Sequence, residues 1–160
     1  MDLGSGGGLP GLVLATGWRE SSWVLLDGRL RSTRFLRQAV DELGLGPRVR
    51  VVEGRAEVVA RSEEHRGRYC VVVARGLGPP AVTAECAAGF LAPGGRLVVS
   101  EPPGSAGERW PTAGLSPLGL AFIRVVEDAG GGGYALLAQV EPCPDRFPRR
   151  PGIPAKRPLF

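Results

Sequence analysis

Two periodicities of apolar positions alternate along most of this chain. Short, nearly unbroken apolar runs, the kind that form strands covered on both faces, occupy residues 22–27, 48–53, 69–75 and 96–100. Between them lie segments with helical spacing. Leu30, Phe35, Leu36, Ala39, Val40 and Leu43 mark a helix over 30–43, which Gly44 is placed to cap. Residues 79–91 predict a helix with proline in its first turn, ended by Pro93-Gly94-Gly95. Residues 9–18 and 58–64 predict shorter ones. Strands alternating with helices imply a parallel sheet with helices on both faces.

After Ser100 the pattern changes. Residues 101–117 are rich in proline, glycine and small residues and predict a loop or lid. Residues 118–127 and 134–140 predict two strands joined by a turn at 128–133, the antiparallel end of the sheet. With Met1-Asp2-Leu3 as a first short strand, the expected fold is α/β, a mostly parallel seven-stranded sheet. Beyond it, Pro142, Pro144, Pro148, Pro151, Pro154 and Pro158 exclude a helix or central strand. The expected organisation is one domain over 1–141 and an extended tail over 142–160.

Composition narrows the class. At 160 residues there is room for one domain with a proper core, and 43% hydrophobic residues fit a globular one. No apolar run is long enough to span a bilayer, and no basic-then-apolar leader opens the chain. The expectation is a cytoplasmic, monomeric protein. Cys70, Cys86 and Cys143 are far apart and only one histidine accompanies them, so they read as reduced thiols rather than metal ligands. That histidine, His65, sits in a charged stretch and is expected to be exposed and without function.

The net charge of +4 favours a polyanionic partner, and every basic residue except Lys156 is an arginine, which can fork two hydrogen bonds onto phosphate. Arg146, Arg149, Arg150, Lys156 and Arg157 concentrate in the tail and are the candidate RNA contacts. Arg31, Arg34 and Arg37 read first as a solvated helix face.

The candidate chemistry lies at the front. Met1-Asp2-Leu3-Gly4-Ser5-Gly6-Gly7-Gly8-Leu9-Pro10-Gly11 runs from a strand through a glycine loop into a helix. Such a turn lets a ligand approach bare backbone, with the helix N-terminus aimed at it. Asp27 ends the second strand about 20 residues on, where folds of this kind bind ribose hydroxyls. Arg75 ends the fourth strand, at the carboxyl edge where open α/β sheets place ligands. Gly54-Arg55-Ala56-Glu57 forms the turn after the third.

The phrase acid-x-Gly-x-Gly-x-Gly is similar to motif I of class I S-adenosylmethionine methyltransferases, which have a Rossmann-like fold. Its extension, Gly8-Leu9-Pro10-Gly11, resembles the RsmG (GidB) family, which methylates N7 of a guanine in bacterial 16S ribosomal RNA. The tail phrase Arg146-Phe147-Pro148-Arg149-Arg150-Pro151-Gly152-Ile153-Pro154-Ala155-Lys156-Arg157-Pro158-Leu159 resembles the C-terminal signature of the same family. Arg34-Phe35-Leu36, Gly54-Arg55-Ala56-Glu57 and Val73-Ala74-Arg75 sit where the family has similar wording, so the resemblance covers essentially the whole chain.

The resemblance implies S-adenosylmethionine as cofactor and ribosomal RNA, or the small ribosomal subunit, as partner. It implies cofactor contacts at Gly4 and Leu9 in the loop, at Ala56 and Glu57, and at Arg75; the loop and strand pattern itself adds Gly6 and Gly8, and Asp27 on the ribose. No side chain is expected to act as a base, because guanine N7 carries no proton. Three departures stand out. Family members carry a helical region before the first strand, which implies a truncated or shortened relative. The family's aspartate in the fourth strand is Cys70 here, and its lysine-glycine after the fifth is Ser100-Glu101-Pro102-Pro103. These leave two alternatives open: a class I methyltransferase with a small-molecule or protein substrate, and a non-catalytic RNA-binding relative.

Overall fold

The computed structural model describes residues 1–127 and 130–160. In chain order the elements are β1 (Asp2–Leu3), α1 (Gly11–Gly17), β2 (Trp23–Asp27), α2 (Leu30–Glu42), β3 (Val49–Glu53), α3 (Ala56–Val59) and β4 (Tyr69–Ala74). Then follow α4 (Pro80–Ala88), β5 (Leu91–Glu101), α5 (Thr112–Leu115), a 3-10 turn at Ser116–Leu118, β6 (Leu120–Glu127), β7 (Gly133–Gln139) and α6 (Ile153–Lys156). The seven strands form one sheet in the order β3-β2-β1-β4-β5-β7-β6. The first five are parallel, and β7 runs antiparallel between β5 and β6.

Near-continuous apolar strands are explained by burial on both faces. Neighbouring residues divide between two buried clusters: Leu26 and Val72 join one, Leu25 and Val73 the other. Leu12 and Ala15 of α1 with Leu36 and Val40 of α2 cover the second face. Ala84 and Ala87 of α4, Leu115 of α5 and Phe147 of the C-terminal segment cover the first. The helix α2 ends as its glycine requires. Gly44 has φ +64, Leu45 N–H donates to Val40 O at 2.9 Å and Gly44 N–H to Asp41 O at 3.1 Å, a Schellman close that satisfies the last carbonyls.

Three expectations are corrected within the sheet and its loops. Pro93-Gly94-Gly95 lies within β5, where the register against β4 shifts between Tyr69 and Val71. A Cβ on Gly95 would sit 2.8 Å from Ala92 O and 3.0 Å from Tyr69 O, so the close approach needs glycine. Residues 101–117 are not an open lid, because Trp110 and Leu115 are buried and anchor α5 onto the sheet. His65 is buried rather than exposed, its Nδ1 against the Tyr69 hydroxyl. The turn expected at 128–133 falls partly on Asp128 and Ala129, outside the described residues.

The largest correction concerns 142–160, which docks on the domain instead of trailing as an extended tail. Proline spacing denies these residues a strand ladder and leaves carbonyls to be satisfied individually. Arg66 donates to Phe147 O at 3.0 Å and Cys143 O at 2.8 Å, and Arg61 to Pro148 O at 2.7 Å. Phe147 is buried beneath them. A helix survives after all: Pro154 occupies the first turn of α6, where no intrahelical N–H is needed.

Candidate functional site

The strand order reverses direction between β1 and β4, which opens a crevice at the carboxyl ends of the parallel strands. The glycine loop leaving β1 borders it. Gly4, Gly6 and Gly8 have φ values of +74, +51 and +89, a region that side chains other than glycine rarely enter. The N–H groups of Gly4 and Ser5 both donate to Leu26 O, at 2.8 and 2.9 Å.

Two carboxylates fix this loop. Asp2 is 1% exposed, and its Oδ2 accepts from Gly11 N–H at 3.0 Å, pinning the start of α1 to β1. Burial pushes the Asp2 carboxyl above its ordinary pKa, while the hydrogen bond from Gly11 pulls it back. A Cβ on Gly11 would lie 2.6 Å from Leu25 Cδ2, so helix and strand meet only through glycine. Asp27 accepts from Gly6 N–H through Oδ2 and from Arg29 N–H through Oδ1, both at 2.8 Å. It thus ties the loop to the entry of α2. Each oxygen retains a second lone pair with which to accept a ligand hydroxyl.

These elements enclose a cavity of about 570 Å³, of a size usual for cofactor sites. Of the residues expected there, Gly4, Gly6, Asp27, Ala56, Glu57 and Arg75 line it together. Gly8 and Leu9 do not. Gly8 faces Leu12, where it turns the chain into α1, and the Leu9 side chain points to solvent at 52% exposure. Leu77, Val82, Cys86 and Ala155 also line the cavity. Burial raises the Cys86 thiol to about 12, so it stays protonated and is no nucleophile. Among the described residues no group of three or more His, Cys, Asp or Glu is placed to hold a metal ion. No helix among them is long and apolar enough to cross a membrane.

Residues 1–101 match the family model of rRNA small subunit methyltransferase G (GidB). The chain belongs to that family. The ribosomal RNA small subunit methyltransferase G of Deinococcus deserti is 38% identical over 170 aligned positions, covering 100% of this chain and 68% of that protein. Its namesake from Rubrobacter xylanophilus is 36% identical, covering 99% of this chain and 64% of that protein. The chain thus spans about two thirds of these relatives. Among solved structures, an RNA methyltransferase from Salinibacter ruber in complex with S-adenosyl-L-homocysteine superposes with a TM-score of 0.62 at 21% identity, over 89% of this chain and 81% of that one. The S-adenosylmethionine-dependent methyltransferase SibL gives 0.68 at 16% identity, over 88% and 50%. Both show the shared Rossmann-like fold. As an RsmG family member, the chain is an S-adenosylmethionine-dependent methyltransferase.

The cavity fits that cofactor on its own geometry. A Cβ on Gly4 would sit 2.6 Å from Leu77 Cδ1, so the loop floor stays open only because residue 4 has no side chain. Asp27 lines the cavity as a carboxylate, and Ala56 and Val82 supply apolar lining. Arg75 is exposed and, among the described residues, makes no ion pair, which leaves it free for a carboxylate.

The expected RNA contacts divide. Arg149 is corrected: its Nη2 pairs with Glu85 Oε2 at 2.6 Å and its Nε donates to Oε1 at 2.9 Å, with Glu85 wholly buried. A charge committed to a buried partner is not available to phosphate. Arg146 lies over the Phe147 ring, 5.1 Å from its centroid. Arg150, Lys156 and Arg157 are exposed, and among the described residues their side chains form no ion pair. Arg29, which the sequence reading passed over, is exposed, lines the cavity and, among the described residues, makes no ion pair. Glu101, one of the departures after β5, accepts from Ser105 Oγ at 2.6 Å and Arg109 Nη1 at 3.1 Å, so its charge is already paired.

Proposed function

We propose that this chain transfers a methyl group to N7 of a guanine in 16S ribosomal RNA. One observation carries the reading beyond the family: each carboxylate lining the cavity is tied to backbone N–H groups, and the cavity's thiol is protonated. Asp27 is held by two backbone N–H groups, Glu57 accepts from Gly152 N–H at 2.9 Å, and Cys86 is a protonated thiol. A nucleophile with an in-plane lone pair and no proton to lose suits such a site, and N7 of guanine is one. When bound, S-adenosylmethionine supplies an electrophilic methyl on a sulfonium.

The residues of the chain then work by placement. Asp27 holds the ribose, Arg75 the amino-acid carboxylate, and Ala56 with Val82 the base. Aligning acceptor and donor in this way converts a bimolecular encounter into an oriented one, the main source of rate for a displacement that needs no proton transfer. Arg29, Arg150, Lys156 and Arg157 supply a cationic surface for RNA phosphates, whose contribution weakens as salt rises.

The test is chemical. Small ribosomal subunits lacking native methylation are incubated with the chain and S-adenosylmethionine, then treated with borohydride and aniline, which cleave RNA at N7-methylguanine. One new cleavage position that depends on chain and cofactor supports the reading. Incorporation of methyl into the RNA without cleavage places the group on another atom and refutes the N7 assignment.

A further inference from the structure

Glu57 stands on the cavity wall, yet its carboxylate reaches away to the C-terminal segment. Its Oε1 accepts from Gly152 N–H at 2.9 Å across 95 residues of sequence, while Oε2 lies 3.7 Å from Arg55 Nε. Gly152 has φ +81 and opens α6, and Ala155, three residues on, lines the same cavity. From the other side the segment is held by Arg149, which clasps the buried Glu85 of α4 with both side chain and backbone N–H. The cavity wall is therefore closed by a piece of chain that no strand ladder holds, fastened near the cavity at two carboxylates and further back by Arg61 and Arg66.

We propose that Glu57 is a positioning residue that holds α6 as the outer wall of the cofactor cavity, so that cofactor retention depends on the Glu57–Gly152 clasp. The inference rests on the cavity being the cofactor site, as the proposed function requires. Coupling of this kind is reciprocal: if the clasped segment favours bound cofactor, bound cofactor favours the clasped segment.

The test pairs calorimetric titration with S-adenosylhomocysteine and hydrogen exchange over residues 150–157. Glu57→Gln keeps an acceptor for Gly152 N–H. Glu57→Ala removes it. Gly152→Pro removes the donor and cannot adopt φ +81, leaving Glu57 untouched; it is a surface turn whose change spares the core. In the wild-type chain the ligand is expected to slow exchange over 150–157. Glu57→Gln should bind within about twofold of wild type. Glu57→Ala and Gly152→Pro should exchange faster there and bind at least about fivefold more weakly, on the scale of a modest coupling. A Gly152→Pro chain whose segment exchanges freely but which binds as tightly as wild type overturns the inference and leaves the functional reading standing. Unchanged exchange in both Glu57→Ala and Gly152→Pro overturns it too. A folded wild-type chain that does not bind the ligand defeats the functional reading, and this inference with it.

Discussion

Replacing Arg149 with alanine separates a structural arginine from an RNA-binding one. The Glu85 side chain is fully buried and that of Arg149 is 26% exposed. Three donors of Arg149 meet this carboxylate: Nη2 at 2.6 Å, Nε at 2.9 Å and the backbone N–H at 2.8 Å. Truncation removes the first two and leaves an anion in an apolar helix face with one backbone donor. Breaking a buried pair from one side costs roughly 3–5 kcal/mol. The surviving donor and the partial exposure of Arg149 put this case at the low end, about 3 kcal/mol. In a domain of this size that lowers Tm by about 6–12 °C. Removing both charges, as Glu85→Leu with Arg149→Met, should cost no more than about 1 kcal/mol, since no orphaned charge remains. Urea denaturation of the three proteins reads these differences. If Arg149→Ala is as stable as wild type but binds RNA less well, the assignment of Arg149 to the fold is wrong.

Other changes test the loop and surface. Gly4→Ala should weaken S-adenosylhomocysteine binding by about tenfold in calorimetry, because φ +74 and the contact with Leu77 both oppose a Cβ. Asp2→Asn keeps an acceptor for Gly11 N–H but cannot ionise. Since burial raises the folded pKa of Asp2, the wild-type chain loses stability as pH climbs through that raised value, having held it in full below the ordinary carboxylate range. Urea melts should therefore show Asp2→Asn gaining on wild type between pH 4 and pH 8. Replacing Arg150, Lys156 and Arg157 together with alanine should flatten the salt dependence of RNA binding by up to about one counterion each. Arg149→Ala, if folded, should leave that slope unchanged.

The parallel sheet was legible because its strands are buried on both faces and so read as apolar runs, and because the loop from Gly4 to Gly8 needs glycine for local reasons. Asp27 was legible for the same reason: its partners, Gly6 and Arg29, lie close to a strand–loop junction that the pattern marks. The C-terminal segment was not. Its placement is set by pairs 64 to 95 residues apart, Glu85 with Arg149 and Glu57 with Gly152, which leave no periodic trace. One signal was available in Glu85 itself. It is a lone charge within Pro80–Ala88, a helix otherwise apolar or small, and a buried carboxylate demands a cation from somewhere. Arginines two and three residues after a buried phenylalanine, as Arg149 and Arg150 follow Phe147, could have supplied it. Trp110 and Leu115 were likewise hidden among prolines and glycines, where composition suggested a loop and these two apolar anchors made a packed turn.

The proposed function places S-adenosylmethionine in the cavity at the β1–β4 switch, held by Asp27 and the glycine loop. Calorimetric titration of the chain with S-adenosylmethionine, with NAD as control and Asp27→Ala alongside, decides whether it is held there. One-to-one binding of S-adenosylmethionine is expected, with none of NAD and a loss on the order of a hundredfold for Asp27→Ala, which removes both a ribose acceptor and the tie to Gly6 N–H. A folded chain that binds neither ligand, or an Asp27→Ala chain that binds as well as wild type, would contradict it.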